Sequence, residues 1–178
     1  MNKLLVLIAA VGIVPLAGCG QSGQQSTGTT GTQPSAEHTT PVTASSIQPV
    51  AASVVSSAQL SGEPCSLDSV DGNYAARVPL SRGKPTVFRG WLENHQRQPA
   101  GSFRLVLIGN QAYGIPAKTG VERPDVASGQ HDPGLEAAGF NFSATLKTLP
   151  AGDYSVRFLM NEGGKTYWCD AKKTVVLQ

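Results

Sequence analysis

The chain has 178 residues, 14 Lys and Arg against 12 Asp and Glu, a formal net charge of +2 at pH 7, and three cysteines. Its charges are interspersed, with no basic run, which argues against a nucleic-acid footprint and reads as an ordinary solvated surface. The length allows one domain or a small domain plus a tail.

The first segment, residues 1–18, has the layout of a secretory signal peptide. Met1-Asn2-Lys3 is a positive start, Leu4 to Leu16 is almost uninterrupted apolar chain, and Ala17-Gly18 are small residues suited to cleavage. The run is shorter than the ~20 residues a spanning helix needs. Leu16-Ala17-Gly18-Cys19 resembles the lipobox of bacterial lipoproteins. The alternative is an ordinary signal peptide with a chance cysteine. The resemblance implies that Cys19 receives a diacylglycerol, that cleavage falls before it, and that the new amino terminus is acylated. One acyl chain holds a protein only reversibly, whereas several anchor it. Gly20 follows the cysteine; in Gram-negative lipoproteins the lack of aspartate there implies export to the outer membrane. The expected location is therefore the cell outer membrane, lipid-anchored, with palmitate among the acyl groups.

Residues 19–60 read as a lipidated flexible tether. The stretch is Ser, Thr, Gln, Gly, Ala and Pro, with Glu37 its only charge and no aromatic. Such a composition buries too little apolar surface to offset its ordering entropy. Val50 to Val55 adds some apolar character without making a core. A coil of this length reaches roughly 35 Å.

Residues 61–178 hold every aromatic residue and all the charge except Lys3 and Glu37. Their periodicity is that of strands. Thr86 to Glu93 alternates Phe88, Gly90 and Leu92 with Val87, Arg89, Trp91 and Glu93. Phe103 to Ile108 is apolar apart from Arg104, which suits a central strand. Phe140, Phe142, Ala144 and Leu146 alternate with polar neighbours, and Tyr154, Val156, Phe158 and Met160 repeat the pattern. Lys165–Asp170 and Lys172–Leu177 complete the set. Turns are signalled at Pro99-Ala100-Gly101, Gly109-Asn110, Leu149 to Asp153 and Asn161 to Gly164. About seven short strands without helical periodicity predict an all-β fold, a single antiparallel immunoglobulin-like β-sandwich.

With Cys19 lipidated, Cys65 and Cys169 remain, at opposite ends of one small exported domain. They predict a disulfide. A metal site is the alternative, but no histidine is near either cysteine in sequence and two thiols rarely suffice. Leu149-Pro150-Ala151-Gly152-Asp153-Tyr154 resembles the turn-then-tyrosine corner of immunoglobulin-like and fibronectin-like sandwiches, where the hydroxyl returns to a backbone group.

Ile115 to Ala138 is the longest stretch without strand character, and it is rich in polar residues. Arg123-Pro124-Asp125-Val126 and Ala138-Gly139-Phe140, with Gly90-Trp91 upstream and Cys169 near the end, are similar to a β-sandwich module found beside bacterial glycosyltransferases and in other cell-envelope proteins. That similarity spans about ninety residues and implies fold and envelope context rather than an activity. Arg123 and Asp125 read first as a pair pinning the loop by hydrogen bonds, and second, with His131, as ligand- or partner-binding groups.

Catalysis finds little support. His38, His95 and His131 have no metal-ligand spacing, and no nucleophile elbow or phosphate-cradling glycine loop is present. His131-Asp132 is a conceivable acid–base pair, although sequence neighbours in a loop usually face apart. No catalytic residue, metal or cofactor is expected. The expected role is non-catalytic: binding a protein partner or supporting assembly at the envelope. The alternatives are a glycan-binding module using Trp91 and Trp168, or a hydrolase. If Cys169 faces inward, Trp168 faces outward, because strand side chains alternate. The same logic sets Trp91 opposite Gly90 and Leu92. A bulge or the second sheet could instead turn one tryptophan inward onto the disulfide.

Overall fold

The computed structural model describes residues 42–43 and 46–178. The signal peptide, Cys19 and most of the tether lie outside the described residues. In chain order come β1 (Val42–Thr43), β2 (Gln48–Val50), α1 (Ala52–Ser57), β3 (Gln59–Leu60), β4 (Cys65–Val70), β5 (Arg77–Leu80), β6 (Pro85–Leu92), β7 (Ser102–Ile108) and β8 (Ala112–Lys118). Then follow α2 (Pro124–Gly129), a 3-10 turn (Pro133–Leu135), β9 (Gly139–Thr145), β10 (Gly152–Glu162) and β11 (Lys165–Leu177).

The fold is all-β in two sheets. The smaller runs β1-β9-β6-β4, and the larger runs β2-β8-β7-β10-β11-β3, with β5 also on β11. The long strands pair antiparallel, whereas β1, β3 and β5 pair parallel with their neighbours.

The period-two pattern fixes which side chains meet between the sheets. Phe88, Leu92, Phe140, Phe142 and Leu146 from one side meet Phe103, Leu105, Leu107, Val156, Phe158 and Met160 from the other, in one continuous core. Ring centroids lie 5.1 Å apart for Phe103–Phe140, 5.4 Å for Phe140–Phe158 and 5.7 Å for Phe103–Phe158. These are the tilted and edge-on approaches aromatic quadrupoles favour. Each buried Phe contributes about 1.5–3 kcal/mol. Gly90 is needed for this packing: a Cβ there would strike the Ser66 carbonyl and lie 2.6 Å from Phe140 Cζ.

β7 is central, with β8 on one edge and β10 on the other, so Val106 is as buried as Leu105 and Leu107. The two expected C-terminal strands are one. β11 runs through Asp170 and Lys172 and bends at a bulge, where pairing shifts between Ser155 and Arg157 and Lys172 adopts a φ of 51°. The supposed loop from Ile115 starts later, because β8 extends to Lys118. Gly114 and Pro116 obscured this strand. Pro116 is tolerated because β2 pairs only with Ala112 to Gly114, leaving the proline on an open edge.

The largest departure concerns residues 46–60, read above as tether. Here they form a strap across the outer face of the larger sheet: β2 pairs with β8, β3 pairs with β11, and α1 lies between. Val50 is buried with Val106 and Leu159, and Val54, Val55, Ala58, Ile108 and Trp168 pack on them. The few apolar residues of this stretch suffice because the sheet supplies the rest of the surface and the unpaired edge.

Candidate functional site

The disulfide joins Cys65, the first residue of β4, to Cys169 in β11, with Cα atoms 6.4 Å apart. It closes one side of the gap between the sheets. Cys169 faces inward and is buried.

Trp168 accordingly points outward and is half-buried. The strap covers part of it, and the Arg157 guanidinium carbon sits 4.0 Å from the ring centre, a cation–π contact. Trp91 also points outward and is also half-buried. Its cover is a small second core of Val126, Leu135 and Ala138 from α2 and the 3-10 turn. Alternation therefore governs both tryptophans, and neither packs on the disulfide as in antibody domains. Neither is an open stacking platform.

The segment from Thr119 to Ala138 is a cover folded onto the smaller sheet. Gly139 exchanges backbone hydrogen bonds with Val121, Leu92 N–H donates to the Ala138 carbonyl at 3.0 Å, and Arg123 N–H donates to the Glu136 carbonyl at 2.6 Å. A Cβ on Gly139 would lie 2.5 Å from the Val121 carbonyl and 2.6 Å from Arg123 Cγ. Close approach explains the Ala138-Gly139-Phe140 motif.

Arg123 clamps this cover. Its Nε and Nη2 donate to Asp125 Oδ1 and Oδ2 at 2.8 and 2.7 Å, and its Nη1 donates to Asp68 Oδ2 at 2.7 Å. Asp68 Oδ1 accepts the Ser66 hydroxyl at 2.6 Å. The Arg123 hydrogen bond holds the Asp125 carboxyl below its ordinary range, and Asp125 in turn raises the guanidinium above its own. Asp68, on β4, is the partner the sequence did not reveal. Both Arg123 and Asp125 thus serve the loop's architecture.

His131 is exposed with a left-handed backbone, φ 55°. Asp132 turns to its own turn, where Oδ1 accepts the Gly134 N–H at 2.9 Å. His95 belongs to the connection between β6 and β7. Its ring stacks on Tyr167 at 4.7 Å, and Nδ1 lies 3.1 Å from the Ser61 carbonyl. Among the described residues no cluster of three or more His, Cys, Asp or Glu could hold a metal ion, and no helix is long and apolar enough to cross a membrane.

Two features escaped the sequence reading. Tyr74 is 74% exposed and borders an open groove of about 660 Å³ beside the disulfide. Ser66 and Asp68 of β4 and Asp170, Lys172 and Lys173 of β11 also line it. Its turn is rigid: Lys173 Nζ donates to the Tyr74 and Ala75 carbonyls at 2.8 and 3.0 Å, and Ala75 N–H donates to Asn73 Oδ1 at 2.9 Å. Asp71-Gly72-Asn73 was the available signal, a turn motif presenting an aromatic. The second feature is Glu93, expected outside on the Trp91 face but only 1% exposed.

No family model matches the chain, and no curated protein and no solved structure matches it significantly.

Proposed function

We propose that this is a lipid-anchored, non-catalytic protein of the bacterial cell envelope, attached to the outer membrane through Cys19 and presenting an immunoglobulin-like β-sandwich to a protein partner. The observation that carries this reading is the pairing of Cys65 with Cys169. A disulfide in a small domain suits an oxidising compartment, and the cysteine left over is the one that closes Leu16-Ala17-Gly18-Cys19. The immunoglobulin-like assignment is supported by two sheets facing across an aromatic core and by the tyrosine corner, where Tyr154 donates its hydroxyl to the Pro150 carbonyl at 2.9 Å.

The polar groups that could have suggested chemistry have structural occupations: Arg123 and Asp125 in the clamp, Asp132 in a turn. Partial cover over both tryptophans favours a protein partner over sugar stacking on them. The test is crosslinking of the mature protein in intact envelopes, followed by purification and mass spectrometry. A defined protein partner is expected. Recovery of polysaccharide alone would overturn this reading in favour of the second one.

That second reading is glycan binding, and Tyr74 is the observation that favours it. An exposed ring on a rigid turn, beside carboxylates and amines that can engage hydroxyls, has the composition of a saccharide subsite.

A further inference from the structure

The strap is joined to β4 by residues 61–64, and this crossover runs beside the least satisfied charged group among the described residues, Glu93 at the end of β6. Register pairs Cys65 with Leu92, so Glu63 and Glu93 lie just past the end of the β4–β6 ladder. Glu93 is 1% exposed, and neither carboxylate oxygen has a hydrogen-bond donor. The charged groups that face it come from three elements: Glu63 from the crossover, Arg97 from the β6–β7 connection with Nε 3.6 Å from Oε1, and Asp132 from the cover over the smaller sheet. Arg97 is largely exposed and its contact is too long for a good hydrogen bond.

An ionised carboxylate buried without donors costs several kcal/mol in real proteins. Two facing carboxylates can form no hydrogen bond with each other; with one proton between them they form one. We propose that Glu63 and Glu93 share a single proton and so act as a latch that fastens the crossover, and with it the strap, to the domain. Burial first, and the Glu63 carboxyl second, hold Glu93 above the ordinary carboxylate range. At this end of the strap the other fastenings are Ser61 N–H to the Trp168 carbonyl at 2.9 Å, the His95 ring on the Ser61 carbonyl, Cys169 Sγ 3.5 Å from the Glu63 carbonyl, and the two pairs that β3 makes with β11. The far end is held by the β2–β8 ladder and buried Val50. α1 buries none of its residues.

The sign follows from linkage. The closed state binds the proton more tightly than an open state in which Glu93 is hydrated. Closure is therefore firmest below the ordinary carboxylate range and weakens as pH rises through the raised value. Opening of this end frees β3 from β11 and uncovers Trp168 on the larger sheet, so the latch makes this aromatic surface available at higher pH. The device does not depend on whether a protein or a glycan is the ligand.

Hydrogen exchange of the mature chain, corrected for intrinsic pH dependence, reads the latch directly at the Leu60 and Ser61 amides. The opening constant should rise by up to about tenfold per pH unit through the titration, the limit for release of one proton. Glu93→Gln replaces the shared proton with a permanent amide donor to Glu63 and should give pH-independent protection. Glu63→Gln, at a half-exposed position, repeats the test from the other side should the first variant fold poorly. The His95 ring, which lies on the Ser61 carbonyl, is untouched in both variants, so a slope that survives in them does not come from the Glu63–Glu93 pair and overturns the proposal. Wild-type protection that is flat between pH 4 and 9 overturns it too.

Discussion

Breaking the Cys65–Cys169 bond should lower stability without altering the fold. The two cysteines are 104 residues apart in sequence. In the chain-entropy model, closing a loop of about 100 residues removes unfolded-state freedom worth about 4.7 kcal/mol at 25 °C. For a domain of this size, each kcal/mol corresponds to roughly 3–5 °C in Tm, so reduction should lower Tm by roughly 14–24 °C. The folded state has its own reasons to persist, since the aromatic core and the β10–β11 ladder do not depend on the bond. The assay is thermal unfolding by circular dichroism, with and without reductant, alongside the Cys65→Ala/Cys169→Ala double variant. Far-ultraviolet spectra at 20 °C should superimpose. A Tm change under about 4 °C, equivalent to about 1 kcal/mol, would refute the reasoning, because the unfolded chain would then be equally restricted without the bond. Loss of structure at 20 °C would refute it in the other direction.

Gly90→Ala should destabilise by about 1–3 kcal/mol through overpacking against Phe140 and the Ser66 carbonyl, read as a lower urea midpoint with an unchanged slope. Arg123→Ala removes three charge-assisted hydrogen bonds from a side chain 21% exposed; allowing for that exposure, the loss should be about 1–2 kcal/mol. Because Arg123 depresses the Asp125 carboxyl, the clamp contributes above the ordinary carboxylate range and is lost as pH falls through the lowered value, so wild type and variant should converge in strong acid. Tyr74→Ala should leave the unfolding free energy within about 0.5 kcal/mol of wild type, as a surface change. If the glycan reading holds, it should abolish chemical-shift changes caused by chito-oligosaccharide. Deleting residues 46–60 should uncover the face around Val106 and Leu159, seen as dye binding and readier acrylamide quenching of Trp168.

Much of the fold was legible because strands with one face in a core must alternate. Phe140, Phe142 and Ala144, and likewise Tyr154, Val156, Phe158 and Met160, are buried where the period of two sets them. The disulfide followed from counting cysteines, and the Tyr154 corner from a turn motif with a known consequence. What stayed hidden depends on partners distant in sequence. The strap needs the outer face of β7 and β10 to complete its apolar cluster, so composition alone made it look like coil. Asp68 becomes the second partner of Arg123 only when β4 lies beneath the cover. Glu93 reads as a polar strand-end residue until the crossover and the cover close over it. Tyr74 stands outside any strand periodicity, and only the geometry of its turn sets it on the surface.

The central claim is attachment through Cys19, and metabolic labelling with a palmitate analogue tests it most directly. The wild-type protein should incorporate label and partition with the outer-membrane fraction. Cys19→Ser should lose the label and appear as uncleaved precursor or in the soluble fraction, while its Cys65–Cys169 bond forms normally. Undiminished labelling of Cys19→Ser, or an unlabelled wild-type protein, would contradict the account.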